Sequence, residues 1–374
     1  MRILQRRRMR LVVPHASELL LQVLAAPEAG SALGLDDWNS LLRAGRRTGL
    51  LARIGADIQQ AGACGRLHEK VREQLCAAVR VAEHHQRGVR WELNRICREL
   101  RGTGVVPVLL KGTAYVMADL PVARGRVSRD IDLLVPRDNL AAVESSLRDH
   151  GWLSLDDDEY DDFYYRAWMH ELPPLRHCER GTVIDVHHAI LPRTGRLHPD
   201  SDLLLQAARP VAGGVFRVLS PEDMWLHSAA HLFQDGDLHG GLRDVTDLDL
   251  MLRHFGEHEP GFWDRLVPRA EQLQLGRPLF YAIRFTKRLL QTPVPREVMV
   301  AAQAHAPSWL VGPLMDRLAL RVLVPEMRDG ESWSQTSARL LLYIRSHWLR
   351  MPPALLARHL TRKALKRWRR KKEE

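Results

Sequence analysis

Asp130-Ile131-Asp132, inside Arg126-Val-Ser-Arg-Asp-Ile-Asp-Leu-Leu-Val135, sets two carboxylates at alternate positions of an apolar run. In an extended strand successive side chains alternate faces, so Asp130 and Asp132 share one side while Ile131 and Leu133 bury on the other. Carboxylates this close repel each other unless a cation sits between them, and a divalent metal answers that need. A solvated strand end would carry the same pattern, so the neighbouring sequence decides its meaning. Further on, Thr182-Val-Ile-Asp-Val-His-His188 reads as a second strand bearing a carboxylate. Asp185 and His187 share one of its faces, Ile184 and Val186 the other.

These acids need elements to hold them. Val105-Val-Pro-Val-Leu-Leu110 reads as a short buried strand, too short and too β-branched for a helix. It runs into Lys111-Gly112-Thr113 and then into Ala114-Tyr-Val-Met-Ala-Asp-Leu120, which has helical composition. Strand, glycine, hydroxyl residue and helix together make an anion cradle. Gly112 lets a phosphate approach the backbone, Thr113 can cap the helix, and the free N–H groups favour negative charge. Many βα turns share this form, so the turn takes its meaning from the acids that follow it.

A glycine turn, an Asp-x-Asp strand and a later single acid on a strand form a set that resembles the DNA polymerase beta-like nucleotidyltransferase superfamily. Within it, the chain looks most like the bacterial group of uncharacterised nucleotidyltransferases. The matching pieces are Val108-Leu-Leu-Lys-Gly-Thr113, Arg126 to Val135, His150-Gly-Trp152, Ile184-Asp-Val-His187, Leu219-Ser-Pro-Glu-Asp-Met-Trp-Leu-His227 with His231, and Asp247-Leu-Asp-Leu-Met-Leu252. The resemblance implies that Asp130, Asp132 and Asp185 are the catalytic metal-binding acids and Gly112-Thr113 the turn that contacts a triphosphate. Nucleotidyl transfer suits that kit, since one metal holds the nucleotide phosphates and a second activates the attacking oxygen. Lys111 and Arg126 would meet the leaving pyrophosphate, the arginine as a fork and the lysine as a point charge. His187 orients Asp185, contacts substrate or serves as a base, and the sequence leaves the three open.

Two departures from the pattern bear on this site. Lys111 and Thr113 stand where the superfamily usually has an apolar residue and a serine, although the lysine is usual in the bacterial group. Arg129 stands where that group more often has glycine, a cation that tunes phosphate binding or narrows the site. Downstream, Ser220 and Pro221 open a helix in which His227 and His231, spaced i, i+4, share a face. Zinc would need a third ligand there, and two buried histidines hydrogen-bonded to an acid fit the pattern better, with Asp247 as their partner.

A chain of 374 residues with formal charge +10 can bury a sizeable core in two or three compact units. Its positive excess gathers at the ends, in Arg6-Arg-Arg8 and in Arg362-Lys363 and Lys366-Arg-Trp-Arg-Arg-Lys-Lys372, which argues against specific nucleic-acid binding. The segment Leu355 to Arg370 sets apolar residues at helical spacing beside a basic face, as suits either an anionic membrane surface or a solvated terminal helix. The basic leader is broken by Pro14, His15, Ser17 and Glu18 and makes a poor secretory signal. Cys64, Cys76, Cys97 and Cys178 are scattered, which fits a reducing cytoplasm better than zinc or disulfides.

The expected architecture is α+β, a small mixed-sheet nucleotidyltransferase core flanked by helical regions. Residues 1–100 are the N-terminal helical region, with Val71 to Leu100 a long periodic helix; 101–200 are the α/β core; 201–374 are helical again and end in the basic tail. Leu140 to His150 reads as a helix ending at Gly151, and the acidic run Asp156 to Asp162 as a solvated loop. The activity expected is Mg²⁺-dependent transfer of a nucleoside monophosphate from an NTP, ATP foremost, with two metals and with Mn²⁺ as a substitute. The acceptor is open among small molecule, cell-surface sugar, peptide and protein hydroxyl. A tailoring transferase acting on a peptide or carbohydrate is one rival, and a non-catalytic, antitoxin-like nucleotide-binding module is the other. Three intact acids favour catalysis over the module.

Overall fold

Seven described strands join in one mixed sheet whose central strand carries an acid. The computed structural model describes residues 15–128, 130–155, 165–166, 168–236, 238–324 and 332–357, with 212 and 235 described by backbone alone. The expectations placed on the basic leader, on Arg129, on the acidic run Asp156 to Asp162 and on the tail from residue 358 lie outside these residues.

The N-terminal region is helical, as its periodicity predicts. Its helices are α1 (His15–Ala25), α2 (Leu35–Thr48), α3 (Leu51–Gln60) and α4 (Glu69–Glu99). In α4 the buried positions Val71, Leu75, Val79, Ala82, Val89, Leu93 and Ile96 fall three, four or seven apart, so one stripe faces the core. At its start the His68 ring accepts a hydrogen bond from the Lys70 N–H.

Next come β1 (Val108–Leu109), α5 (Lys111–Met117), β2 (Ile131–Leu134), α6 (Leu140–Asp149), β3 (Trp152–Ser154), β4 (Leu175–His177), β5 (Val183–His187), α7 (Ser201–Ala207), β6 (Arg209–Val211) and β7 (Phe216–Val218). The strand order is β3-β4-β5-β2-β1-β7-β6. Strand β2 lies antiparallel to β1 and parallel to β5, and β1 lies parallel to β7. All four residues of β2 are buried, since it is central and covered on both faces. Strand β1 is shorter than its apolar run predicts, because Pro107 has no N–H to give the ladder and Val106 is exposed.

The sheet also reaches beyond residue 200, where the sequence reads as purely helical. Strands β6 and β7 form a hairpin through Gly213-Gly214, too short for a two-residue period to stand out, with Pro210 tolerated because β6 is an edge. Helices then follow: α8 (Pro221–Ala230), α9 (Leu242–His258), α10 (Phe262–Gln272), α11 (Gly276–Leu290), α12 (Arg296–Ala302), α13 (Val311–Leu323) and α14 (Trp333–Arg350). Ser220 caps α8 by accepting from the Asp223 N–H, with Pro221 in the first turn. One buried cluster runs from Leu20 and Trp38 through Leu133 and Val186 to Trp225 and Phe285, so the three regions share a core.

The loop between α5 and β2 is clamped from the N-terminal side. The Arg53 guanidinium of α3, itself buried, donates to the carbonyls of Pro121 and Val122, and Gln86 of α4 donates to those of Ala123 and Arg126. Gly125 sits at φ 66°, where an added Cβ would run into the backbone of Ala52 and Arg53. A methyl there meets both a left-handed backbone and a collision with atoms that cannot swing away. Gly125→Ala is therefore expected to lower stability by about 2 kcal/mol, read as an earlier urea midpoint at unchanged slope.

Candidate active site

Register brings the acids of two separate strands together. Asp132 on β2 pairs with Asp185 on β5, and two residues further Leu134 pairs with His187. Asp130 immediately precedes β2 and is exposed, whereas Asp132 is buried and Asp185 partly so. Lys111, at φ 47°, holds the left-handed conformation that bulky residues avoid, and its ammonium lies 2.9 Å from Asp132 Oδ1. His187 Nε2 meets the same oxygen at 3.1 Å.

These contacts divide the acids into two kinds. Burial works against the Asp132 carboxylate, but Lys111 and His187 outweigh it and hold the carboxyl well below its usual range. Asp185 lacks that compensation. Desolvation, then Glu171 and Asp132, push it up to about 7, and its Oδ1 is buried without a hydrogen-bond partner. Asp130 is raised as well, by desolvation first and by Asp132 second. Among the described residues the three acids do not close into a cluster with ligand atoms within 4.8 Å of one another. Even so, an all-oxygen set with an orphaned buried oxygen and uncompensated negative charge fits a hard divalent cation such as Mg²⁺.

A cleft of about 540 Å³ opens beside them, lined by Lys111, Gly112, Tyr115, Arg126, Asp130 and Asp132 among others, a size usual for a small-ligand site. Arg126 donates from Nε to Asp247 Oδ2 at 2.7 Å and packs over the Tyr115 ring. Asp247 thus partners this arginine, not the two histidines for which its sequence position suggested it. Gly112 lines the cleft and has a steric role as well: a Cβ there would collide with Ser128 Oγ and the Arg126 guanidinium. Thr113 is buried and its hydroxyl donates to the Leu110 carbonyl at 2.9 Å, so it shapes the turn without lining the cleft.

His227 is buried in α8, and His231, which lines the cleft, begins a π-helical turn, His231–Asp235. Such turns concentrate at functional sites. Desolvation, then Lys111, lowers His227 well below the ordinary imidazole value; for His231 Lys111 acts first and desolvation second. Neither histidine belongs to a three-ligand cluster among the described residues.

The cleft lining also includes Arg46, Arg47, Thr48 and Gly49, the end of α2 and the residue after it. Helix α2 is thus part of the site, and here the comparison with known families is decisive. The model of the uncharacterised nucleotidyltransferase family matches residues 35–291, well over half of the chain, from the first residue of α2 to just past α11. The chain belongs to this family.

As a member of a nucleotidyltransferase family it is a transferase, with a nucleotide as substrate. No curated protein and no solved structure matches it. The transferase cleft also draws on residues that have no motif. Arg46 and Arg47 are the basic last turn of α2. Arg243 and Asp244 sit in the first turns of α9. Glu171, behind the cleft acids, is brought to the sheet by backbone pairing: the Leu172 N–H bonds to the Val186 carbonyl at 2.9 Å and the His188 N–H to that of His170 at 2.8 Å. No local pattern announces such a pairing.

Proposed function

We propose that this nucleotidyltransferase moves a nucleoside monophosphate from an NTP, ATP foremost, to an acceptor hydroxyl in a Mg²⁺-dependent reaction that releases pyrophosphate. The observation that carries the reading is the partly buried Asp185 carboxylate, whose Oδ1 is buried without a hydrogen-bond partner and which is in register with Asp132. Asp130, Asp132 and Asp185 would hold the metal, with Mn²⁺ as a substitute. When bound, it supplies charge for the phosphates and lowers the pKa of the attacking oxygen. The acceptor oxygen bonds to the α-phosphorus, the bond from that phosphorus to the β-bridging oxygen breaks, and pyrophosphate leaves. Without metal, burial and its acidic neighbours raise Asp185 to about 7, and a bound cation would restore its charge, so its role is that of a ligand. His187 keeps Asp132 oriented, while Lys111 and Arg126, with Arg46, Arg47 and Arg243 around the same cleft, offer charge to the pyrophosphate. Arg129 joins them on its sequence position alone.

Thermal melting of the full chain with Mg²⁺ and each of the four NTPs tests the donor, since a bound ligand raises stability by mass action. One NTP should raise the midpoint, and the same NTP should yield pyrophosphate when a metabolite extract supplies the acceptor. No shift with any NTP would sink the reading. Arg126→Ala should lower kcat/KM for the NTP by about 3 kcal/mol, the loss expected when a charged donor to the transition state is removed.

The cytoplasm is the proposed location, supported by the NTP requirement and four free cysteines. No helix among the described residues is long and apolar enough to cross a membrane. If the basic tail touches an anionic membrane, deleting residues 358–374 lowers binding to anionic liposomes, most at low salt, and leaves nucleotide transfer intact. Equal liposome binding by both forms returns the tail to solvent.

A further inference from the structure

The pairing that brings Glu171 to the sheet brings two imidazoles with it. Glu171 forms an antiparallel bridge to His187, and the His188 and Ala189 N–H groups both bond to the His170 carbonyl. As a result His170, Glu171 and His187 each offer a ligand atom within 4.8 Å of the other two. The site is built into the protein: His170 is 7% exposed and His187 3%. Both imidazoles keep a buried Nδ1 without a hydrogen-bond partner, an arrangement that costs about 1–3 kcal/mol per atom unless something else satisfies it. His187 Nδ1 stands 3.2 Å from Glu171 Oε2 yet makes no hydrogen bond with it.

The other side of the His187 ring explains why its Nδ1 is available. Nε2 lies 3.1 Å from Asp132 Oδ1, an oxygen that also takes the Lys111 ammonium. A carboxylate already bound by a cation remains an acceptor, so Nε2 carries the imidazole proton, and in the neutral ring that metal binding requires the lone pair lies on Nδ1. A carboxylate holding the far N–H of an imidazole is the usual support of a metal-binding histidine.

We propose that His170, Glu171 and His187 form a second metal site, separate from the three aspartates, for a divalent transition metal with the coordination preferences of Zn²⁺. Two imidazole nitrogens and one carboxylate oxygen suit such an ion, whereas Mg²⁺ prefers oxygen alone. Three protein ligands leave a fourth position open. The assignment does not depend on nucleotide transfer. The two sites meet at Asp132, a positioning residue for the second metal through His187.

The test uses the full-length protein, stripped with chelator, re-exposed to Zn²⁺ in a large excess of Mg²⁺ and passed through gel filtration, with bound zinc measured by elemental mass spectrometry. Wild type should retain stoichiometric Zn²⁺, His170→Gln and Glu171→Gln should each weaken binding by at least about a hundredfold, and Asp130→Asn/Asp185→Asn should retain it. Co²⁺ in place of Zn²⁺ gives a reading on wild type alone, through visible ligand-field bands that report nitrogen ligation. Absence of those bands, no retained zinc, or zinc lost from the aspartate variant and kept by His170→Gln each overturns the assignment.

Discussion

Asp130→Asn and Asp185→Asn should each slow nucleotide transfer on the order of a thousandfold, about 4 kcal/mol of transition-state stabilisation, and the double variant should be scarcely slower than either. The expectation follows from how the acids are assembled. Asp130 enters β2 and Asp185 sits on β5, so only the folded sheet brings them to one place, and neither charge is neutralised by the protein as that of Asp132 is. If both serve one metal-bound transition state, removing the first member already removes the function, and losses within such a unit do not multiply. Pyrophosphate release at saturating NTP and Mg²⁺ measures all three variants. A double variant slower by the product of the single effects means that the acids act independently. Full activity in Asp185→Asn means that the third acid lies elsewhere. Thermal melting adds a control, because wild type should gain stability from Mg²⁺ plus NTP and Asp185→Asn should gain much less.

What the sequence made legible is what local period and chemistry encode. Helix α4 followed from its apolar stripe, the start of α8 from Ser220-Pro221, and the strand around Asp185 from its alternation. The α+β class and the family followed from the motif set, and the family match bears both out. The misses are contacts between distant segments or strands too short to show a period. Asp247 was assigned to the histidines of the preceding helix, but the loop clamped by Arg53 and Gln86 carries Arg126 to it. That the missing side chain of Gly112 also makes room for that same arginine is a contact no local motif shows. The β6–β7 hairpin has strands of three residues, too few to show a period. Glu171 depends on a bridge to His187 that no spacing along the chain records.

Asp132 and Asp185 are register partners, yet neutralising them should change stability in opposite directions. In the sequence the Asp-x-Asp pair reads as mutual repulsion, so that Asp132→Asn would relieve strain. The structure reverses this for Asp132, whose carboxylate is buried against Lys111 and His187. Its folded pKa is depressed, so its contribution is present above the unfolded value of about 3.9 and is lost only as pH falls through the acid range. At pH 8 in chelator Asp132→Asn should therefore be less stable than wild type by about 3–5 kcal/mol, since the half-buried Lys111 ammonium loses its partner. Asp185 has a folded value raised to about 7, so the stability linked to its protonated form is complete below about 3.9 and is lost as pH rises through 7. Asp185→Asn removes that loss and should be more stable than wild type at pH 8 by about 2 kcal/mol, with the gain gone at pH 4. Urea unfolding at the two pH values reads both variants. If both move the same way at pH 8, the Lys111 contact does not divide the two acids, and a shared charge environment is the better description.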